Sequence, residues 1–389
     1  MRQPVPASAA SSSSKGSASK SSVPKGKGRR VWFDLHSWVG LKLCLFLGFI
    51  CLTGTLAVFA HEIDWLLYAE MRVSPASTRA SWGQLVGAAQ EAHPDWTLEG
   101  VTVPHASRFA ATAQMRMPDG RRRFVWIDPY RGRVTGDSHW FNAHRLLRNT
   151  HRHLMIPVKY GVPLVAALSL PLLITLTSSF FIYKRWWRGF FSWPRADRPR
   201  RLWGDLHRLL GVWSLWFVAL IALTGGWYLV ESLGGKAPTP AKIALPKEDK
   251  SSRPADPHAI DLAVATLAQR WPDLEIRGAE PSADGRSLLL DGQARAWLVR
   301  DRANVAGFDL RSGKLIDWRD GRDMSVHQRI AEMADPLHFG SFGGWPVRLI
   351  WFLFGAAMTT LCFTGVYLYG LRVSEAIKSA LRRKNNERA

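Results

Sequence analysis

Apolar residues gather in four long blocks, at about Trp38–Ala60, Gly161–Tyr183, Gly211–Val230 and Pro346–Gly370. Each supplies the roughly twenty residues needed to cross a hydrocarbon core of about 30 Å. Trp and Tyr cluster at their ends, as in Trp32, Trp65, Tyr68, Trp186, Trp187, Trp203, Tyr228, Trp345 and Tyr369, the interfacial positions such rings favour. The pattern predicts an all-α membrane domain of four transmembrane helices.

The two stretches between these blocks change period. Each opens with amphipathic helical spacing, at about Trp82–His93 and Ala259–Trp271, closed by His93-Pro94-Asp95 or Trp271-Pro272-Asp273. Each ends on strand, turn and strand: FVWIDPYRGRV from Phe124 and AGFDLRSGKLIDW from Ala306, with Asp128 and Gly132 matched by Asp309 and Gly313. Two small α+β modules are expected, each with a modest core. The division is then a tail over 1–30, helices at 31–61, 161–183, 204–230 and 346–370, modules over 62–160 and 231–345, a basic link at 184–203 and a basic tail at 371–389.

Composition adds orientation. The 389 residues carry 52 Lys and Arg against 31 Asp and Glu, a net charge of +21. Much of the excess lies in three short flanks: Lys25 to Arg30, Lys184 to Arg201, and Arg372 to Lys384. These share one side, so by the positive-inside rule both termini are cytoplasmic and the modules face the opposite, periplasm-like compartment. The charge reads as topology, and no nucleic-acid motif accompanies it. The first thirty residues, rich in Ser, Ala and Lys, read as a disordered tail. The first apolar run is longer than a signal-peptide core and begins with His36 and Lys42, so it reads as an uncleaved helix. Cys44, Cys51 and Cys362 all fall inside spans and no CxxC occurs, against a disulfide or structural-zinc role. No Walker A motif occurs, and GSFGGW from Gly340 lacks the strand–helix context of a dinucleotide site.

The chain also repeats itself. WFDLHSWVG from Trp32 returns as WGDLHRLLG from Trp203, matching Asp34, His36 and Gly40 with Asp205, His207 and Gly211, and each run reaches a Thr-Gly pair, Thr53-Gly54 or Thr224-Gly225. HRHLMIPVKYG from His151 and LHFGSFGGWP from Leu337 precede spans two and four, placing His151 and His338 one residue apart in register. One histidine thus introduces each span, two at each face of the membrane. Ionisable residues at membrane depth are read as functional, and facing imidazoles in a helical bundle suit a haem iron that takes two axial ligands. His36 with His207, and His151 with His338, are the candidate ligands of two b haems. The layers are expected roughly 25–30 Å apart, and two porphyrins filling much of that distance would leave an edge-to-edge gap short enough for tunnelling. Gly40 and Gly211 would leave room beside the porphyrin.

His61 and His144 are candidates for an additional ligand or a substrate contact, and His139, His153 and His327 share that side of the membrane. His93, His105 and His258 read as surface residues. Glu62 and Asp64 would either hold a metal with His61 or begin a solvated loop. Arg121, Arg122, Arg123, Arg131 and Arg133 form a basic patch that would attract an acidic ligand such as a carboxylate or catecholate iron chelate, or else guard a strand edge.

DLHSWVG at Asp34, HEIDWLL at His61, HRHLMIP at His151, YKRWWRGF at Tyr183, DLHRLLG at Asp205 and LHFGSFGGWPVR at Leu337 together resemble the PepSY-associated transmembrane proteins. These are also called iron-regulated or iron-uptake membrane proteins. The resemblance runs from about Val31 to Arg372. It implies an inner-membrane di-haem ferric-siderophore reductase; because the sequence shows no dinucleotide motif, electrons would come from a quinol or a cytoplasmic reductase, and membrane lipid would surround the bundle. It also implies periplasmic iron- or siderophore-binding proteins and an ABC transporter as partners. Ser178-Ser179 stands where a Thr-Gly pair is usual in that family. The rival expectations are a membrane-anchored PepSY regulatory or binding protein without redox activity, and a haem or metal transporter using the same histidines.

Overall fold

The computed structural model describes residues 27–246 and 253–386. In chain order its helices and strands are α1 (Lys27–Ala57), α2 (Ala60–Leu67), α3 (Trp82–Ala92), β1 (Thr97–Thr102), β2 (Ala111–Arg116), β3 (Arg122–Asp128), β4 (Arg133–His139), α4 (Ala143–His153), α5 (Val158–Ala166), α6 (Ser169–Ile182), α7 (Pro199–Trp213), α8 (Leu215–Ser232), α9 (Pro257–Arg270), β5 (Glu275–Pro281), β6 (Ser287–Gln293), β7 (Asn304–Asp309), β8 (Lys314–Arg319), α10 (Val326–Phe339) and α11 (Gly344–Asn386). Among the described residues four helical runs are long and apolar enough to cross a membrane: Gly28–Ala57, Val158–Ile182, Leu215–Ser232 and Ser341–Leu381. The tail expected over 1–30 lies, for residues 1–26, outside the described residues, whereas 27–30 already belong to α1.

The four runs form a bundle in which α1 packs on α6 and α11, α7 on α11, and α6 on α8. Small residues let the backbones approach, as in other membrane helix pairs. At the α1–α11 contact a methyl on Gly48 would lie 3.2 Å from Cys362 Cβ, and one on Gly355 2.7 Å from Thr55 Oγ1. Away from these contacts Leu45, Phe49, Leu52 and Leu56 make an exposed stripe on α1, an apolar face suited to lipid. The second span is broken between α5 and α6 because Pro171 has no N–H for the carbonyl four residues back. Leu170 N instead donates to Ala167 O at 3.1 Å, one tight turn.

The extramembrane strands join into one eight-stranded antiparallel sheet, ordered β4-β3-β2-β1-β5-β6-β7-β8. Each loop does fold as helix then meander, yet the two are not separate modules. β1 pairs with β5, Val101 opposite Ala279 and Thr102 opposite Gly278, and Val103 N donates to Arg277 O at 2.9 Å. Two four-stranded sheets would each have left an unpaired edge, and this seam removes both. The helices are joined as well: Asp261 of α9 accepts from Gly83 N and Ser81 Oγ of the first loop, both at 2.7 Å. One core results, with Leu85, Val86, Ile260 and Leu267 of α3 and α9 against Met115, Ile127, Leu288 and Phe308 of the sheet. The Asp-led turns form as expected: Asp128 Oδ1 accepts from Tyr130 N, Asp309 Oδ1 from Arg311 N, and Gly132 and Gly313 take φ of +63° and +69°.

The sheet's other face looks toward α2 and α4. There Phe124 and Trp126 pack with Met71, Trp65, Tyr68 and Trp140. α4 and α10 are short helices of their own, preceding the spans rather than forming their first turns. α4 leans on α1, and α10 on α8. A left-handed residue ends each, Leu154 (φ 56°) and Gly340 (φ 67°).

Candidate functional site

Four histidines point into the bundle from four different elements, and each has its Nδ1 occupied. At the end nearest the sheet, His151 Nδ1 lies 2.9 Å from Ile50 O of α1, and His338 Nδ1 lies 2.8 Å from Thr224 Oγ1 of α8. At the far end, His207 Nδ1 lies 2.8 Å from Thr364 Oγ1 of α11. His36 Nδ1 there lies 3.0 Å from Ser178 Oγ and 3.2 Å from Thr175 O of α6.

The partners decide the tautomer. A carbonyl only accepts, so His151 must carry its proton on Nδ1. Thr224 and Thr364 already donate their hydroxyl hydrogens to Leu220 O and Thr360 O, each at 2.8 Å, and Ser178 Oγ donates to Thr175 O at 3.0 Å. Their oxygens can therefore only accept from the imidazoles. In all four rings Nε2 is left with a free lone pair, the state in which a histidine binds metal with its other nitrogen held by a second group.

The sheet-side pair has the spacing as well. The ring centres of His151 and His338 are 6.1 Å apart, tilted by 41°. Two imidazoles on opposite sides of one metal, each bound at about 2 Å, place their ring centres about 6 Å apart. Gly54 makes room for this pair, since a methyl there would fall 2.5 Å from His151 Cε1. At the far end His207 is carried by α7 and His36 by α1. A methyl on Gly40 would meet nothing within 4 Å, so open space lies beside that helix. Along α1 the fourteen residues from His36 to Ile50 span about 21 Å, and the seventeen from His207 to Thr224 span about 25 Å. These rises, about 21 Å and about 25 Å, lie below and at the lower end of the expected 25–30 Å.

The remaining candidates divide. His61 and His144 stack on each other with ring centres 4.1 Å apart, and among the described residues neither ring is hydrogen-bonded. Burial, then the charges of His61, Arg148 and Arg145, hold His144 down at about 3, so it is neutral at any physiological pH. His139 lies on β4 beside Arg123, His153 contacts Ile156 O at 2.7 Å, and His327 contacts Gly235 O at 3.3 Å. His105 and His258 are exposed, and His93 stacks on Trp96.

Neither expectation for Glu62 and Asp64 holds. Glu62 pairs with Arg348 at 2.5 Å. Asp64 is fully buried and accepts from Ala143 N at 2.8 Å and His144 N at 3.1 Å, capping the helix that carries His144 and His151. The basic patch also breaks up: Arg121, Arg122, Arg123 and Arg131 pair with Asp119, Glu99, Asp137 and Asp128.

The chain matches the model of the PepSY-associated TM region over residues 28–372. It belongs to that family. A relative of this PepSY-associated chain is "Uncharacterized protein PA4219" of Pseudomonas aeruginosa, 26% identical over 263 residues. That match covers 61% of this chain and 66% of the relative. The hydroxyls that hold the histidines were visible in the repeat, since Ser178 and Thr364 align and Thr224 belongs to the duplicated Thr-Gly pair. The departure at Ser178 keeps the one atom that matters here, an acceptor for His36.

Proposed function

We propose that this protein is an inner-membrane di-haem b ferric reductase that releases iron from a ferric siderophore on the sheet side of the membrane. His151 and His338 would hold one haem, and His36 and His207 the other. Bound haem supplies a one-electron iron couple at each face of the bundle. The chain's own part is positional. Ile50 O, Thr224, Thr364 and Ser178 aim four imidazole lone pairs, Gly54 admits His151, and Asp64 anchors the start of α4. The single observation that carries this reading is the sheet-side pair: ring centres 6.1 Å apart, with both Nδ1 atoms committed to acceptors.

The basic flanks at 25–30, 184–201 and 372–384 support cytoplasmic termini, which would put the sheet in the periplasm. Electrons would enter from a quinol or a cytoplasmic reductase, one per Fe(III) reduced. Siderophores grip hard Fe(III) far more tightly than Fe(II), so reduction frees the metal. A purely regulatory PepSY protein gives no reason for four committed tautomers. The test is to reduce the purified protein anaerobically and add a ferric siderophore. Stoichiometric reoxidation with Fe(II) captured by a ferrous chelator supports the proposal, and a protein that stays reduced refutes it.

A further inference from the structure

Between the sheet's bundle-facing side and α4 lies a cavity of about 630 Å³ that crosses the β1–β5 seam. Both loops line it, with Arg116, Arg122, Arg145 and Arg302 against Glu99 and Glu280. Arg116 and Arg122 share the single carboxylate of Glu99, and Arg302 pairs with Glu280 at 2.8 Å. Arg145 has no carboxylate partner among the described residues, and its Nε is buried without a hydrogen bond. Its guanidinium lies 3.4 Å from the centre of the Trp140 ring, a stacking that fixes the plane of its donors. Burial, then the neighbouring charges of Arg148 and Arg122, draw its pKa below the usual arginine value. The cavity is therefore short of negative charge, and its one unpaired guanidinium is already held in place.

Resting on the ferric-reductase reading, we infer that this cavity is the substrate subsite. It would take an anionic, oxygen-rich ferric chelate, of catecholate or carboxylate type, in preference to a neutral hydroxamate complex. Paired ligand oxygens suit the flat fork of a guanidinium, which binds two of them at once. The volume falls in the range of small-molecule sites. Position agrees with chemistry: Arg145 precedes His151 by six residues on α4, about 9 Å along the helix axis. A chelate held there lies beside the element that carries the sheet-side ligand.

The test separates binding from reduction by using gallium(III), which copies the charge and shape of a ferric complex but accepts no electron. Gallium tris-catecholate is titrated calorimetrically into the full chain in detergent, at low and high salt. Saturable binding is expected, weakened by salt and weakened at least tenfold in Arg145→Gln and, from the opposite wall, in Arg302→Gln. A neutral gallium trihydroxamate should compete poorly. Wild-type affinity in both variants, or equal binding of the neutral complex, overturns the assignment. If the gallium complex binds as described while ferric tris-catecholate fails to reoxidise the reduced protein, the site stands and the reductase reading falls.

Discussion

Replacing Thr224 by Val tests the logic of the committed imidazoles at one atom. The side chain keeps its branching, but His338 Nδ1 loses the acceptor that now sits 2.8 Å away. A buried N–H left without a partner costs about 1–3 kcal/mol. Removing the second group behind a metal-bound histidine lowers metal affinity about 10- to 100-fold, or about 1.4–2.7 kcal/mol. The two routes agree on about 2 kcal/mol. The assay is haem transfer to excess apo-globin, measured in a His36→Ala background so that only the sheet-side site is filled. Dissociation should accelerate 10- to 100-fold on adding Thr224→Val. Thr364→Val, whose hydroxyl serves His207, should leave that rate alone. Equal rates with and without Thr224→Val, or equal acceleration by Thr364→Val, would show that the hydroxyl does not hold the ligand.

Three further outcomes follow from the same geometry. Gly54→Ala sets a methyl 2.5 Å from His151 Cε1, so it should empty the sheet-side site while the far site keeps its haem, as counted by pyridine haemochrome. Asp64→Ala removes the acceptor of two α4 amides, costs about 1–2 kcal/mol as a lost cap, and should raise amide exchange over the start of α4. Asp291 is pushed up to about 6 by burial, then by Glu280 and Asp301. A carboxyl raised in the fold contributes its stability below the unfolded value near 4 and loses it as pH rises through 6. Asp291→Asn should therefore slow amide exchange in β5 to β7 at pH 7.5, by up to about 3 kcal/mol, with no gain at pH 4; a gain at both pH values would refute the assignment.

The apolar blocks made the spans legible, because twenty-residue runs have few other uses, and the repeat of Asp34-Leu35-His36 at Asp205-Leu206-His207 made the far-end pair legible. The helix and meander of each loop were also readable, from the amphipathic spacing at Trp82–His93 and Ala259–Trp271 and from the Asp128 and Asp309 turns. The seam between β1 and β5 was not. Pairing between segments some 175 residues apart leaves no local periodicity, and each loop alone satisfies the pattern of a small module. The same holds for Asp64, whose burial depends on the amides of α4 arriving from another part of the chain. His151 and His338 were read as lying just before spans two and four, with no helix assigned to either; the structure gives each a short helix of its own, α4 or α10, closed by a left-handed residue, Leu154 or Gly340.

The measurement closest to the central claim is the haem content of the detergent-purified chain, with its dithionite-reduced difference spectrum, alongside His36→Ala and His338→Ala. About two low-spin b haems per chain are expected, and one in each variant. No haem after expression with ample supply, or two haems retained in both variants, would contradict it.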